Sequence, residues 1–179
     1  MTFVGGWSQI MPATEEVQKI CDQMRPQLPE RYPIFKAITY QLQVVAGLNY
    51  CIKVETGVNC LGSLYIYVFR DLSDQLMLKD HVWRKLSELC EASTLPFPLD
   101  QIKQHAEDRT GKKYDIFRGI NYKTERDEDA KYFIKVQVSE CIKDHLILRV
   151  DYDRSPKSNP TLHNLLLDKT LQDPIEYFE

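Results

Sequence analysis

The fold is decided by residues 38–54, which read ITYQLQVVAGLNYCIKV. Apolar and polar side chains alternate on both sides of Gly47, as they do in strands that bury one face. The alternating apolar positions are Ile38, Tyr40, Leu42 and Val44 before the glycine and Leu48, Tyr50, Ile52 and Val54 after it. Because glycine permits a tight turn or a close backbone approach, the stretch predicts an antiparallel hairpin that turns at Gly47.

The hairpin lies in the first of two copies of one sequence pattern, which repeats without a gap at an offset of about 82 residues. The matched pairs include Tyr32 with Tyr114, Phe35 with Phe117, Tyr40 with Tyr122, Tyr50 with Tyr132, Lys53 with Lys135 and Val68 with Val150. The repeat predicts two domains, residues 1–85 and 99–179, each large enough to bury a core. The segment 86–98, which contains Pro96 and Pro98, is predicted to be a linker.

The two copies differ at the tip of this hairpin. The repeat aligns Gln43-Val44-Val45-Ala46-Gly47 in the first copy with Glu125-Arg126-Asp127-Glu128-Asp129 in the second. Hairpin tips are normally polar, so an apolar Val-Val-Ala tip is unusual for an ordinary hairpin. Function on a repeated scaffold is expected where the copies differ at a loop, and the first tip is therefore the candidate binding element.

Each copy is predicted to contain one helix followed by antiparallel strands. Thr14 with two acidic residues after it is typical of a helix start, and Pro26 is expected to end that helix. Gly111 is expected to end the second helix, and residues 1–11, which lack periodicity, are predicted to form a flexible arm. Short strand connections favour antiparallel neighbours, so the predicted fold class is α+β, with a helix across one sheet face in each domain.

The bulk composition is that of a globular protein and excludes several functions. The chain has 179 residues, of which 43% are hydrophobic and 27% charged, with a net charge of −3. It has no basic stripe for nucleic acid and no apolar stretch long enough for a membrane span. The N-terminus does not resemble a signal peptide, and five cysteines without a close pair favour a reducing compartment over disulfides. We therefore expect a cytoplasmic protein.

No sequence motif of a catalytic site is present. The sequence has no glycine-rich phosphate loop, no nucleophile elbow and no His-Glu-x-x-His motif, and its four histidines are not spaced as metal ligands. The acidic residues 127–129 lack the glycine and the spaced ligands of a calcium loop. We therefore expect a protein that is not an enzyme and that uses no cofactor and no metal.

The first copy resembles the stefins, the intracellular single-domain members of the cystatin superfamily. The resemblance covers about residues 5–72. It rests on Gly5-Gly6-Trp7, Pro12-Ala13-Thr14, Gln43 to Gly47 followed by Asn49-Tyr50, and Val68-Phe69-Arg70. The second copy ends in Glu176-Tyr177-Phe178, which is similar to the tail of a stefin domain, but it lacks the pentapeptide.

The resemblance implies a helix wrapped by a curled antiparallel sheet, and a reversible, non-covalent inhibitor of papain-like cysteine proteases such as cathepsins. It implies that the N-terminal arm and the hairpin enter the active-site cleft of the protease. The protease-binding residues implied are Gly5, Gly6, Gln43, Val44, Val45, Ala46, Gly47, Leu72 and Ser73. Stefins usually carry Leu-Pro at the second hairpin, where this chain has Leu72-Ser73, so a weaker third contact is expected.

Two other functions remain open from the sequence. The charged second tip and the missing proline leave room for a non-inhibitory binding or structural protein on a tandem cystatin scaffold. Latexin, an inhibitor of metallocarboxypeptidases, also pairs two cystatin-like domains. The expected oligomeric state is a monomer, with a domain-swapped dimer as the alternative.

Overall fold

The computed structural model describes residues 5–58, 62–125 and 130–179. The chain divides into two compact units, a first unit of residues 1–85 and a second unit of residues 86–179. Each unit contains one α-helix and one five-stranded antiparallel sheet. The predicted α+β class is confirmed.

The first unit follows the order strand, helix and four further strands. Its elements are β1 (Met11–Pro12), α1 (Glu15–Met24), β2 (Lys36–Val45), β3 (Gly47–Glu55), β4 (Ser63–Arg70) and β5 (Leu76–Arg84), and the strands lie in the sheet in chain order. The hydroxyl of Thr14 accepts a hydrogen bond from the Val17 N–H at 3.3 Å, which caps α1. A short 3-10 helix containing Pro26 follows α1, so both predicted ends of the helix are confirmed.

The core of the first unit lies between α1 and one face of the sheet. Apolar side chains at helical spacing meet alternate side chains of β3 and β4, as the two periodicities require. The buried core residues include Val17, Ile20, Cys21 and Met24 of the helix and Tyr50, Ile52, Val54, Leu64, Ile66 and Val68 of the strands. Burial raises the pKa of the Cys21 thiol to about 12, so this cysteine is an unreactive core residue.

The second unit repeats this arrangement. Its elements are β6 (Cys90–Glu91), α2 (Asp100–Thr110), β7 (Arg118–Glu125), β8 (Ala130–Gln137), β9 (His145–Tyr152) and β10 (Thr161–Lys169), and its strands also pair in chain order. Gly111 has a φ of 69° and ends α2, as predicted. Ile102 and Ala106 of the helix are fully buried.

The structure differs from the predicted linker over residues 86–98. Cys90 in β6 pairs with Tyr122 in β7, just as Met11 in β1 pairs with Tyr40 in β2. Residues 90–94, which form β6 and a short 3-10 helix, therefore belong to the second sheet and its surroundings. The sequence comparison missed this match because the segment before each helix repeats at a shorter offset than the strands.

A serine ahead of the first short strand of each unit makes the same two hydrogen bonds in both units. The Leu42 N–H donates to the Ser8 hydroxyl at 2.9 Å, and the Ser8 N–H donates to the Leu42 carbonyl at 2.7 Å. In the second unit the Thr124 N–H donates to the Ser87 hydroxyl at 3.0 Å, and the Ser87 N–H donates to the Thr124 carbonyl at 2.8 Å. Each unit thus has its own N-terminal segment, held against the first long strand by a serine.

The predicted flexible arm covers residues 1–11, of which the structure describes residues 5–11, and over that part the structure differs from the prediction. Trp7 forms a bridge with Gln43, Ser8 is buried against β2, and Met11 pairs with Tyr40. Backbone pairing, rather than a buried apolar face, fixes this segment, which is why its sequence shows no periodicity.

Residues 170–179, which follow β10 and which we call the tail, cover the sheet face of the second unit that points away from α2. Lys135 on this face is buried, and its ammonium donates to the backbone carbonyls of Leu171, at 2.8 Å, and Asp173. Buried Arg149 donates to the Phe178 carbonyl at 3.1 Å and to the Glu179 carboxylate at 2.6 Å. These bonds pair two buried cations with acceptors from the tail and hold the tail on the sheet.

We expect Glu107→Gln to lower the melting temperature of the protein more at about pH 7 than at about pH 3. A hydrogen bond from Lys113 at 3.0 Å and one from the Tyr114 N–H hold the pKa of the Glu107 carboxyl below its ordinary value. A lowered folded-state pKa stabilises the fold above the unfolded-state pKa, and this contribution is lost as the pH falls through the folded-state pKa. Thermal unfolding at both pH values measures the difference.

The matched control is Asp108→Asn, one residue along the same helix. Asp108 is exposed and accepts a bond from the Gln104 side chain at 2.8 Å, so its replacement is expected to change the melting temperature little at either pH. An equal loss of stability at both pH values for Glu107→Gln contradicts the assignment.

Candidate functional site

Two hairpin connections and the N-terminal segment of the first unit lie together at one end of its strands. Val45 pairs with Gly47 at the hairpin tip, Leu48 pairs with Arg70, and Arg70 pairs with Leu76 across the next turn. The bridge between Trp7 and Gln43 brings the N-terminal segment to the same end. We call residues 5–6, 43–47 and 71–75 the loop edge.

The hairpin tip presents two apolar side chains to solvent. Val44 is 58% exposed and Val45 is 44% exposed, although both are β-branched aliphatic residues that usually become buried. Ala46 stands at the apex and is also exposed. A contiguous exposed apolar tip of this kind is typical of a contact surface.

Gly47 fixes the position of this tip against the end of β4. Its φ is +126°, and a Cβ at this position would lie 2.4 Å from the Arg70 carbonyl oxygen and 2.8 Å from the Phe69 ring. Any side chain would therefore push the hairpin away from β4 and also strain the backbone. The glycine is required both for the turn and for the close approach.

The Gln43 side chain joins the hairpin to the N-terminal segment. Its amide nitrogen donates to the Gly5 carbonyl at 3.0 Å, and its amide oxygen accepts from the Asn49 side chain at 3.0 Å. Gly5 has a φ of 75°, a conformation that favours glycine. The arm and the hairpin are thus linked by a side-chain bridge in addition to the serine contact of Ser8.

The turn between β4 and β5 is held by Asp71. Its carboxylate accepts hydrogen bonds from the N–H of Ser73 at 2.8 Å and from the N–H of Gln75 at 2.9 Å. Leu72 at the front of this turn is 85% exposed. A proline at position 73 would remove the first of these bonds, so the serine in place of the usual stefin proline keeps a turn fixed by hydrogen bonding.

An ion pair connects the loop edge to the helix. Arg70, the last residue of β4, donates to the Glu16 carboxylate at 2.7 Å, and its guanidinium carbon lies 5.4 Å from the centre of the Tyr50 ring. Glu16 lies in the first turn of α1, where a carboxylate is also favoured by the helix dipole. Because Glu16 is largely exposed, the pair orients Arg70 more than it stabilises the fold.

The structure places all the site residues predicted from the sequence at this edge. They are Gly5, Gly6, Gln43, Val44, Val45, Ala46, Gly47, Leu72 and Ser73. The supporting residues Ser8, Asn49 and Asp71 were not assigned a role from the sequence. Asp71 could have been found, because an aspartate before an exposed turn often accepts backbone N–H bonds. Ser8 gives no such signal, since its partner is distant in the chain.

The corresponding edge of the second unit has different chemistry. Glu125 matches Gln43 and Lys131 matches Asn49, so an amide pair is replaced by an ion pair, with 3.8 Å between the Glu125 carboxylate and the Lys131 ammonium. Glu125 is buried. Arg126 to Asp129, which complete the predicted acidic tip, lie outside the described residues.

Residues 5–58, 62–125 and 130–179 contain no group of His, Cys, Asp and Glu side chains placed to hold a metal ion. Neither helix in these ranges is long and apolar enough to cross a membrane. Four cysteines of the described part, Cys21, Cys51, Cys90 and Cys141, are free thiols.

Comparison with known proteins identifies the family. The cystatin domain model matches residues 5–93. Cystatin-A of Mus musculus is 49% identical over 73 residues, which cover 38% of this chain and 73% of the relative. The chain belongs to the cystatin family. Stefin-3 of Mus musculus is 45% identical over 87 residues, which cover 45% of this chain and 82% of the relative.

A third cystatin relative has a name that states its activity. Leukocyte cysteine proteinase inhibitor 1 of Sus scrofa is 45% identical over 77 residues, or 41% of this chain and 73% of the relative. The resemblance to stefins is confirmed. Members of the cystatin family are protease inhibitors and not enzymes, so the expectation that the chain is not an enzyme is confirmed by its family.

We expect Gly47→Ala to destabilise the first unit by about 2 kcal/mol or more, because the added Cβ meets the Arg70 carbonyl and the Phe69 ring. Chemical unfolding of the full chain measures the loss. The control is Gly111→Ala, which has a φ of +69° but no atom within 4 Å of the added Cβ. That variant carries the conformational cost alone, expected at about 1 kcal/mol. Equal losses for the two variants contradict the close approach at Gly47.

Proposed function

We propose that the protein is a reversible, non-covalent inhibitor of papain-like cysteine proteases and that the loop edge of its first unit enters their active-site cleft. The observation that carries the proposal is the exposed Val44-Val45 tip, held by Gly47 between an arm and an exposed leucine. The family of the chain and the name of its relative from Sus scrofa support a cysteine protease as the target.

The tip has the physical properties of a wedge. Burial of the two valine side chains in an apolar cleft contributes roughly 1.5–3 kcal/mol each. Valine loses little side-chain entropy on binding, because its branched side chain is already restricted. The turn at Gly47 is fixed before binding, so little ordering free energy is spent when the complex forms.

The mechanism requires no reaction at the tip. Val44, Val45 and Ala46 offer neither a nucleophile nor a titratable group, and the proposed inhibitor excludes substrate by filling the cleft. The arm at Gly5 and Gly6 is proposed to lie along the cleft on one side of the wedge, with Leu72 and Ser73 as the contact on the other side. Small residues at positions 5 and 6 allow a close approach of the two backbones.

The second unit is proposed not to inhibit these proteases. The residues predicted to form its hairpin tip are the acidic stretch Glu125 to Asp129, which stands in place of the apolar pentapeptide. Entry of unpaired carboxylates into an apolar cleft costs several kcal/mol. The residues that precede Ser87 are Arg84, Lys85 and Leu86, which continue directly from β5, so this unit also lacks a glycine arm.

The proposal extends to the oligomeric state, the location and the other partners of the protein. We infer a monomer in the cytoplasm, with a domain-swapped dimer as the alternative, and no nucleic acid, membrane or cofactor as a binding partner. The free thiols Cys21, Cys51, Cys90 and Cys141 are in accord with a reducing compartment.

We expect Val45→Asp to raise the inhibition constant against papain by about tenfold or more, because a charge enters a dry cleft. The inhibition constant of the full chain is the measurement. The control is Ile142→Asp, which places the same charge at an apolar side chain that is 61% exposed in the second unit. If Val45→Asp inhibits as well as the control, the hairpin does not enter the cleft.

We expect Gln43→Leu to weaken inhibition about two- to tenfold, since the substitution removes the bridge to Gly5 while keeping the side-chain size. The effect should disappear when residues 1–6 are deleted, because the bridge then has no arm to hold. Gln101→Leu on the exposed surface of α2 is the control. Additive losses from Gln43→Leu and the deletion show that the glutamine does not position the arm.

A further inference from the structure

The second unit contains a cavity that its extra chain length creates. In the first unit only Ala13 and Thr14 separate β1 from α1, whereas residues 92–99 separate β6 from α2. We call residues 92–99 the strap. A cavity of about 390 Å³ lies between the strap and the sheet, within the size range of small-molecule sites.

Three tyrosines of the sheet form one side of the cavity. They are Tyr122, Tyr132 and Tyr152, from β7, β8 and β9. Thr94 and Pro96 of the strap line the other side. The hydroxyl groups of Tyr122 and Thr94 lie 2.9 Å apart and are hydrogen-bonded, which ties the strap to the sheet. The cavity therefore has defined walls.

The surroundings of these tyrosines differ between the two units. Tyr132 matches Tyr50 of the first unit, and Tyr152 matches Arg70. In the first unit Arg70 lies over the Tyr50 ring and is bound to the helix. In the second unit Phe97 of the strap packs on the Tyr132 and Tyr152 rings instead, at centroid distances of 5.3 and 4.9 Å. The strap thus changes the packing beside these tyrosines.

A positive group lies at the lining of the cavity. Arg154 lines it, and its guanidinium donates to the Tyr132 hydroxyl at 3.3 Å. Among the lining residues that the structure describes, Arg154 is the one with a formal charge, and no carboxylate is present. The guanidinium is exposed to solvent and can form a bidentate contact with a carboxylate.

From these features we infer that the cavity binds a small aromatic carboxylate. The aromatic ring packs in an offset or edge contact against Tyr152, which is half-buried whereas Tyr122 and Tyr132 are buried, and the carboxylate binds Arg154. The hydroxyl group of Thr124 at the lining supplies a further hydrogen-bonding group. The site lies wholly in the second unit and does not depend on protease inhibition by the first.

The experiment is a titration of the full chain of residues 1–179 with naphthoate, in which backbone amide chemical shifts are measured by nuclear magnetic resonance. We expect saturable shifts at residues 92–95 and at Tyr122, with a dissociation constant below about 1 mM. Naphthamide has the same ring system without the charge and is expected to bind about tenfold more weakly.

Two variants test the assigned groups. Arg154→Gln should weaken naphthoate binding about tenfold or more, whereas Arg118→Gln, an exposed arginine at the far end of β7, should leave it unchanged. Cys90→Met should reduce binding by filling the cavity. It is expected to fold, because Met11 holds the matching position of the first unit.

Three results overturn the inference. The first is the absence of saturable shifts up to about 5 mM naphthoate in the folded protein. The second is equal binding of naphthoate and naphthamide, which removes the role of the cation. The third is an equal effect of Arg154→Gln and Arg118→Gln, which means that the anion is attracted by net charge rather than bound in the cavity.

Discussion

The loop edge depends on the contact between Gly47 and the carbonyl group of Arg70. Only a residue without a side chain allows the hairpin to reach the end of β4 at this distance. The same Arg70 binds Glu16 at the start of α1 and covers the Tyr50 ring. The hairpin tip is thus positioned by the sheet, and the end of the sheet is positioned by the helix. A change at Gly47 acts on the proposed wedge and on the packing beneath it at once.

Two exposed valines at a hairpin tip are a liability for a soluble protein, since exposed apolar surface promotes association. The molecule limits this exposure to a small area and fixes the backbone around it. The Gln43 bridge, the Ser8 contact and the Asp71 turn all bind backbone groups that would otherwise need water. These contacts give the edge a defined shape before any partner arrives, which is the condition for tight binding by a small surface.

Much of the first unit could be predicted from its sequence, because the signals are local. Thr14 caps the helix, Pro26 ends it, and the alternation around Gly47 predicts the hairpin. The Gln43–Asn49 and Ser8–Leu42 contacts could not be predicted, since they join segments whose register only the folded sheet defines. The proposed site residues were reached through the resemblance to stefins, and alternation alone would have left the tip as an ordinary hairpin with an unusual composition.

An identical tripeptide in the two units does not predict how deeply its lysine is buried. Ile-Lys-Val occurs in β3 and again in β8, yet Lys53 is half-buried while Lys135 is buried. The difference arises from the tail, in which the backbone carbonyls of Leu171 and Asp173 accept hydrogen bonds from the Lys135 ammonium. Burial lowers the pKa of this lysine, and the nearby Asp173 opposes that effect. A local pattern cannot contain this information, because the partners come from a distant part of the chain.

The two units share a scaffold but differ in how the chain enters and leaves it. At the loop edge of the first unit, an amide pair at Gln43 and Asn49 supports an apolar tip; the second unit has the ion pair of Glu125 and Lys131 at the matching positions. Ahead of the helix, the strap replaces a two-residue connection. Both changes lie at the ends of strands, where added residues and charges need not disturb the core. The same scaffold can therefore present the loop edge in the first unit and the cavity beside the strap in the second unit.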